Sequence, residues 1–577
     1  MKFYKKFKFI IEHNIRRLIY LLIFALILMS ILEFISLGSI PLLIGYLVEP
    51  DQMSIFFEKN FNFSFNFKLD LKLFSLIIFI IFLTKSLLLS LINYFELKTI
   101  KDLKISITNK LFKKYLDNDY KFFIDNNHTV LSRNLIKEVD NAVGLIQSVI
   151  FLIREFFLLS MIFFLLFFYN PILSLAILGI LIFFAIIFYV GTDKLLKSFA
   201  IERINLTAKI FNLVPQVFNL IKEIKILKKE KYFIDSFNRI KSDFEKKIII
   251  VDFFKRLPKI LFEFLAITIL LIIIIFLGIN NKDQLGNALP FLTLVTICTV
   301  KLIPSFNTIS GALTHIQSYA NSFNLIFSEL NNKIINVQPL EIANENNEKI
   351  ISFTNINFHY ESSKKVSLID INFDIKRGEM VGIIGKSGSG KTTLVNLLMG
   401  LLRPSSGFVN YYFKKKNNII GLVPQDIIIF EDSLKKNIAL GEYEDEINEK
   451  KIKDVIEMSG LNNFFQKNHN NLDLSLGDKG MNISGGEKQR IGIARSLYNE
   501  PELLILDEAT SSLDIKTEKI FLSQIEKLKG NITTIFVSHR ISALDKCDTV
   551  YLIDKGKIIS KGSSEFILNK YPNLTID

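Results

Sequence analysis

Gly385-Lys386-Ser387-Gly388-Ser389-Gly390-Lys391-Thr392-Thr393 separates two apolar runs, Met380 to Ile384 and Leu394 to Met399. The first run reads as a buried strand and the second as the opening turns of a helix, the setting that a phosphate-cradling loop requires. Glycine permits the curl that turns successive N–H groups toward phosphate oxygens. The helix N-terminus adds partial positive charge, Lys391 adds a full one, and the Thr392 hydroxyl can reach Mg2+. The stretch therefore implies binding of a nucleoside triphosphate. A second stretch supplies acids. Leu503 to Leu506 reads as an apolar strand ending in Asp507 and Glu508. Asp507 is placed to hold Mg2+ through water, and Glu508 to orient or deprotonate an attacking water. Solvated acids at a strand end are common; the lysine-bearing loop in the same domain gives this pair its meaning.

These groups occupy the last two fifths of a chain whose composition is not that of a soluble enzyme. Half of the 577 residues are hydrophobic, with 54 Phe and no Trp, so a membrane portion is expected. The net charge of +13 comes from lysines beside apolar runs, which fits a positive-inside bias and argues against nucleic acid as a partner. Two cysteines, Cys298 and Cys547, and six histidines without metal-ligand spacing exclude a disulfide framework or a zinc site.

Six apolar runs can cross a bilayer: about Leu18–Leu47, Leu71–Phe95, Val143–Tyr169, Ile172–Val190, Leu257–Ile279 and Leu285–Ile309. The basic lead-in, Lys2 to Arg17, reads as an interfacial segment and not a cleaved signal, because the run behind it is too long. The third and fourth spans meet in a tight turn at Tyr169-Asn170-Pro171. Lysines crowd the segments after the second and fourth spans, which places both termini in the cytoplasm. Those segments keep helical periodicity, as in Leu213, Val217, Leu220, Ile221 and Ile224, so both read as helices continuing into water. Between Asp51 and Asp70, Phe61, Phe63, Phe65 and Phe67 alternate with polar residues, the pattern of an extended aromatic anchor at the membrane surface. Composition turns to Asn, Glu and Gln after Asn331. We expect an all-α six-helix transmembrane domain over residues 1–330, a linker over 331–349, and an α/β P-loop nucleotide-binding domain over 350–577.

Asn482-Ile483-Ser484-Gly485-Gly486-Glu487-Lys488-Gln489-Arg490 resembles the signature loop of ATP-binding cassette proteins. The family more often has Leu and Gln where this chain has Ile483 and Glu487. Other positions match in order. Tyr360 stands where an aromatic stacks on adenine. Gln425 stands where a glutamine touches Mg2+ and the attacking water. Ser511-Ser512-Leu513-Asp514 matches the loop crossing the dimer interface, and His539 matches the switch histidine at the γ-phosphate. Ser475-Leu476-Gly477-Asp478-Lys479-Gly480 resembles the exporter-type loop, with Asp478 where Glu is usual. The resemblance implies ATP and Mg2+ as cofactors, Glu508, His539 and Gln425 as catalytic residues, and Thr392, Gln425 and Asp507 around the metal. It further implies a homodimer in which Ser484, Gly485, Gly486, Glu487 and Asp514 of one copy complete the site of the other. Six spans and one cassette look like an exporter half-transporter. Stretches Tyr115–Phe123 and Lys222–Leu227 then correspond to helices that couple the spans to the cassettes.

Ionisable residues inside spans bear on the cargo, since each is costly in lipid. They are Glu33, Lys85, Arg154, Glu155, Glu263 and Lys301. Arg154 and Glu155, as sequence neighbours, are not expected to face each other; Arg154 is expected to pair with Glu263. Lys85 and Lys301 have no acid beside them in sequence and are expected to meet an anionic substrate. Leu32–Gly38, Arg256–Glu263 and Lys301–Asn307 resemble bacterial lipid-linked oligosaccharide flippases of the protein-glycosylation type, with Lys301 in place of an Arg. That resemblance implies flipping of a polyprenyl pyrophosphate glycan across the bacterial inner membrane. Export of a lipid or hydrophobic drug, and an ATP-gated channel or sensor, stay open as alternatives.

Overall fold

The computed structural model describes residues 2–48, 71–169, 171–280, 285–334, 348–360, 366–415, 419–477, 483–510, 515–538 and 540–571. The Phe-rich segment 51–70, Asn170 and most of the expected linker lie outside them. So do Asp478 to Gly480, Asn482, Ser511 to Asp514, and His539. The chain divides into two compact units, Met1–Asn118 with Asn126–Ile335, and Asp119–Asp125 with Asn336–Asp577.

The first unit is almost wholly helical in its described residues. A short basic helix, α1 (Lys2–Ile10), precedes α2 (His13–Val48), α3 (Leu71–Leu116), α5 (Val139–Tyr169), α6 (Pro171–Asn219), α7 (Ile221–Leu227), α8 (Glu230–Asn280) and α9 (Leu285–Asn331), while α4 (Tyr120–Asp125), next after α3 in the chain, belongs to the second unit. Six of these are long, and each contains one expected span. Among the described residues, α2, α3, α5 and α9 are long and apolar enough to cross a membrane. On α3, Leu76, Phe79, Leu83, Leu87 and Leu91 are all exposed. Their three- and four-residue spacing makes one continuous apolar stripe, the face a helix offers to lipid. Leu37, Ile162, Leu165, Leu166, Leu294, Val295 and Cys298 form the apolar seam where α2, α5 and α9 meet. The helices run on past the apolar stretches, α3 to Leu116 and α6 to Asn219, and α8 starts well before its apolar part.

The second unit carries two sheets. β1 (Lys349–His359), β2 (Val366–Lys376) and β4 (Ser406–Tyr411) form an antiparallel sheet ordered β2-β1-β4. β3 (Met380–Ile384), β5 (Ile420–Val423), β6 (Leu503–Asp507), β7 (Thr533–Val537), β8 (Thr549–Asp554) and β9 (Lys557–Gly562) form the other, ordered β5-β6-β7-β3-β8-β9. Its strands pair in parallel except β9, which returns antiparallel to β8. β3 and β7 are buried along their whole length, as near-continuous apolar runs in a covered parallel sheet must be. The helical exporter domain and mixed α/β nucleotide-binding domain expected from the sequence are both present. Phosphate loops sit beyond the C-terminal ends of such strands, and here β3 leads into α10 (Lys391–Leu398).

Candidate functional site: a phosphate-binding loop and its acids

The turn between β3 and α10 has no room for side chains at its first position. A Cβ on Gly385 would lie 2.2 Å from the Ile553 carbonyl oxygen and 2.7 Å from Ser389 Oγ. Gly390 caps α10 at φ +106°, a conformation open to glycine and strained for other residues. Lys391 is buried, and its ammonium donates to the Gly385 carbonyl at 2.6 Å and the Lys386 carbonyl at 3.1 Å. Those bonds fold the lysine back across the loop. Ser389 is 4% exposed, and its hydroxyl has no hydrogen-bond partner among the described residues. An orphaned buried hydroxyl and a glycine cradle are what a bound phosphate would satisfy. Lys386, Ser387, Gly388 and Thr392 are exposed along the same turn, and Thr393 is buried beneath it.

The acids stand two strands away in the same sheet. Asp507 ends β6, and Glu508 follows with φ +49°, its N–H donating to the Val537 carbonyl at 2.8 Å. A positive φ on a non-glycine residue costs energy and is found where surrounding structure enforces it, often at sites of function. Gln425, just past β5, donates from Nε2 to Glu508 Oε2 at 2.7 Å. Burial pushes the Lys391 ammonium below the ordinary lysine range, while Glu508 and Asp507 pull it back up. Burial and then the Glu508 charge hold Asp507 above the ordinary aspartate range, with Lys391 acting in the opposite direction. Lysine and acids therefore share one electrostatic neighbourhood. Tyr360 packs edge-on against Phe358 at 4.9 Å and lies 3.3 Å from the Thr393 hydroxyl, which anchors its ring beside the loop.

The signature stretch opens α11 (Gly485–Tyr498). Ser484 caps it, with Glu487 N–H donating to Ser484 Oγ at 3.3 Å and Ser484 N–H donating to Glu487 Oε2 at 2.8 Å. This reciprocal box fixes the loop and leaves Ser484 and Gly485 exposed at a helix N-terminus. His539 and Asp514 lie outside the described residues. On either side of His539, Ser538 N–H donates to the Ile383 carbonyl at 3.4 Å, and Arg540 pairs with Glu518 at 2.7 Å.

The intramembrane residues correct two expectations. Arg154 binds Glu155, its Nε and Nη2 lying 3.1 and 2.8 Å from Glu155 Oε1, and Glu263 is exposed. Neighbouring positions do diverge around a helix, but the long arginine side chain curls back to bridge the angle. Lys85 and Lys301 are not without an acid either. The Glu33 carboxylate lies 2.6 Å from the Lys85 ammonium and 2.7 Å from that of Lys301. Nothing in the spacing of these three residues along the chain marked Glu33 as their common partner.

Comparison with known proteins matches both units. The ABC transporter family model covers residues 368–511, and the ABC transporter transmembrane region covers residues 47–302. The ATP-dependent lipid A-core flippase of Burkholderia pseudomallei is 27% identical over 498 residues, 83% of this chain and 81% of that protein. A Rickettsia typhi protein named for export and an ATP-binding/permease chain is 38% identical over 223 residues. That match spans 37% of this chain and only 38% of that relative's length. The solved structure of a bacterial Atm1-family ABC exporter with ATP bound superposes with a TM-score of 0.77 over 98% of both chains, at 20% identity, and so shares the fold. The chain belongs to the ATP-binding cassette transporters, pairing the family's transmembrane region with its nucleotide-binding domain.

Proposed function

We propose that the protein is an ATP-driven half-transporter that works as a homodimer and flips a phosphate-bearing lipid, a polyprenyl-pyrophosphate-linked oligosaccharide, to the outer leaflet of a bacterial inner membrane. The observation that carries the reading is the pair of lysines held among the membrane helices. Among the described residues Lys85 and Lys301 share one carboxylate, which leaves one positive charge without a second acid where an uncompensated charge is costly. An anionic head group is the ligand that balances it. The Burkholderia relative, named as a lipid A-core flippase, supports a lipid cargo. Lysine crowding after the second and fourth spans supports cytoplasmic termini.

In the nucleotide-binding domain, Lys391 and the glycine turn would bind the phosphates and Tyr360 the adenine. Mg2+, when bound with the nucleotide, supplies charge neutralisation between the phosphates. Among the described residues no cluster of acids, histidines or cysteines could hold a metal unaided. Thr392, Gln425 and Asp507 fit an ion that keeps water and phosphate oxygens as its other ligands. Glu508, oriented by Gln425, would take the proton of the attacking water, and His539 would contact the γ-phosphate. Ser484, Gly485, Gly486, Glu487 and Asp514 of a second copy would close the site. ATP binding would bring the two nucleotide-binding domains together and turn the membrane helices outward, and hydrolysis would reset them.

The rival reading, export of a neutral lipid or hydrophobic drug, draws support from the Glu33 pairing itself. A Lys85→Ala/Lys301→Ala variant in vesicles separates the two. The flippase reading predicts loss of the ATPase stimulation caused by undecaprenyl pyrophosphate. Undiminished stimulation would favour the rival.

A further inference from the structure

Glu33 on α2, Lys85 on α3 and Lys301 on α9 make a three-member ionic cluster whose members are not held alike. Lys85 is deeply buried, its side chain 9% exposed, and its ammonium also donates to Ser36 Oγ at 2.9 Å. Ser36 in turn donates to the Glu33 carbonyl, and the ammonium lies 5.1 Å from the Phe82 ring centre. Lys301 is 43% exposed and meets Glu33 Oε1, an oxygen with no aligned hydrogen-bond donor among the described residues. One cation is thus locked into the helix packing. The other leans onto the carboxylate from an accessible position.

A site built solely to hold an anion would have no carboxylate in it, because Glu33 repels the ligand that the lysines attract. The carboxylate earns its place when the ligand is absent. Two unpaired ammonium groups among apolar helices would be costly, and an empty carrier must still pass through its conformational change. We infer that Glu33 is the resident counter-ion of Lys301, which exchanges Glu33 for a phosphate of the cargo and takes Glu33 back once the cargo leaves, while Lys85 keeps Glu33 in place. The inference rests on the phosphate reading proposed above and deepens it. Glu33 sets how tightly a phosphate head group is held and how readily it is released, which makes it a positioning residue for specificity.

The test uses the full chain in phosphatidylcholine vesicles with undecaprenyl pyrophosphate as probe. ATPase stimulation gives the half-stimulating concentration, and probe movement across the bilayer gives the maximal rate. With E33Q the half-stimulating concentration should fall about tenfold, because the competing charge is gone. The maximal flipping rate should fall severalfold as release becomes slow. E33D keeps the charge but withdraws it from Lys301 by one methylene, so it should lower the half-stimulating concentration about threefold and serves if E33Q does not fold. An unchanged or raised half-stimulating concentration in the folded variants would overturn the counter-ion role. Loss of stimulation in K301A with wild-type behaviour in E33Q sinks this inference alone. Full stimulation in K85A/K301A sinks the phosphate reading and this inference together.

Discussion

Glu508 is held in an unfavourable backbone conformation by a hydrogen bond to the end of β7, and its carboxylate accepts a hydrogen bond from the Gln425 amide. A residue kept that way at the edge of a phosphate loop suits a general base, whose removal costs about 100-fold or more in turnover. Glu508→Gln should retain ATP binding and lose hydrolysis by at least that factor, measured by phosphate release. Unchanged hydrolysis would remove Glu508 from the role. Asp507 makes a separate prediction about stability. The folded chain holds its proton more tightly than the unfolded chain does, so ionising it in the fold costs stability. That cost is absent below the ordinary aspartate range and complete above the raised folded value. Asp507→Asn never ionises, so it should melt higher than the parent at neutral pH. Calorimetry should show the gain shrinking as pH falls through the raised value.

Elements explain what could be read in advance and what could not. β3 and α10 were legible because an apolar run, a glycine turn and a second apolar run each obey a local rule. The long helices were legible as well, since their periodicity continues beyond the apolar spans. Glu33 was hidden because three distant helices bring the cluster together, and pairing across a tertiary contact leaves no local trace. The Arg154–Glu155 pair was misjudged because Cβ directions alone do not fix where a long side chain ends. At this scale Gly385→Ala should destabilise the protein by about 1–3 kcal/mol, since its Cβ would meet the backbone of β8. Thermal unfolding should show the drop before any nucleotide is added. Helices α4 and α7, at the turns after α3 and α6, fall in the stretches expected to couple membrane helices to nucleotide-binding domains. With Cys298 and Cys547 replaced, a cysteine at the exposed Ile226 should cross-link to one at the exposed Ile428, near Gln425. Absence of any cross-link with or without ATP would remove α7 from that role.

At the scale of the whole molecule, the proposed function needs both the nucleotide site and the Glu33 cluster. ATP hydrolysis without a cargo site is idle, and a charged intramembrane site without an energy source would equilibrate its ligand. The direct measurement is transfer of undecaprenyl pyrophosphate between leaflets of sealed vesicles containing the full chain, with ionic current recorded in parallel. Transfer should require ATP, vanish with Glu508→Gln and with Lys85→Ala/Lys301→Ala, and proceed without current. Equal transfer in the absence of ATP, or an ATP-gated current without lipid movement, would contradict the account.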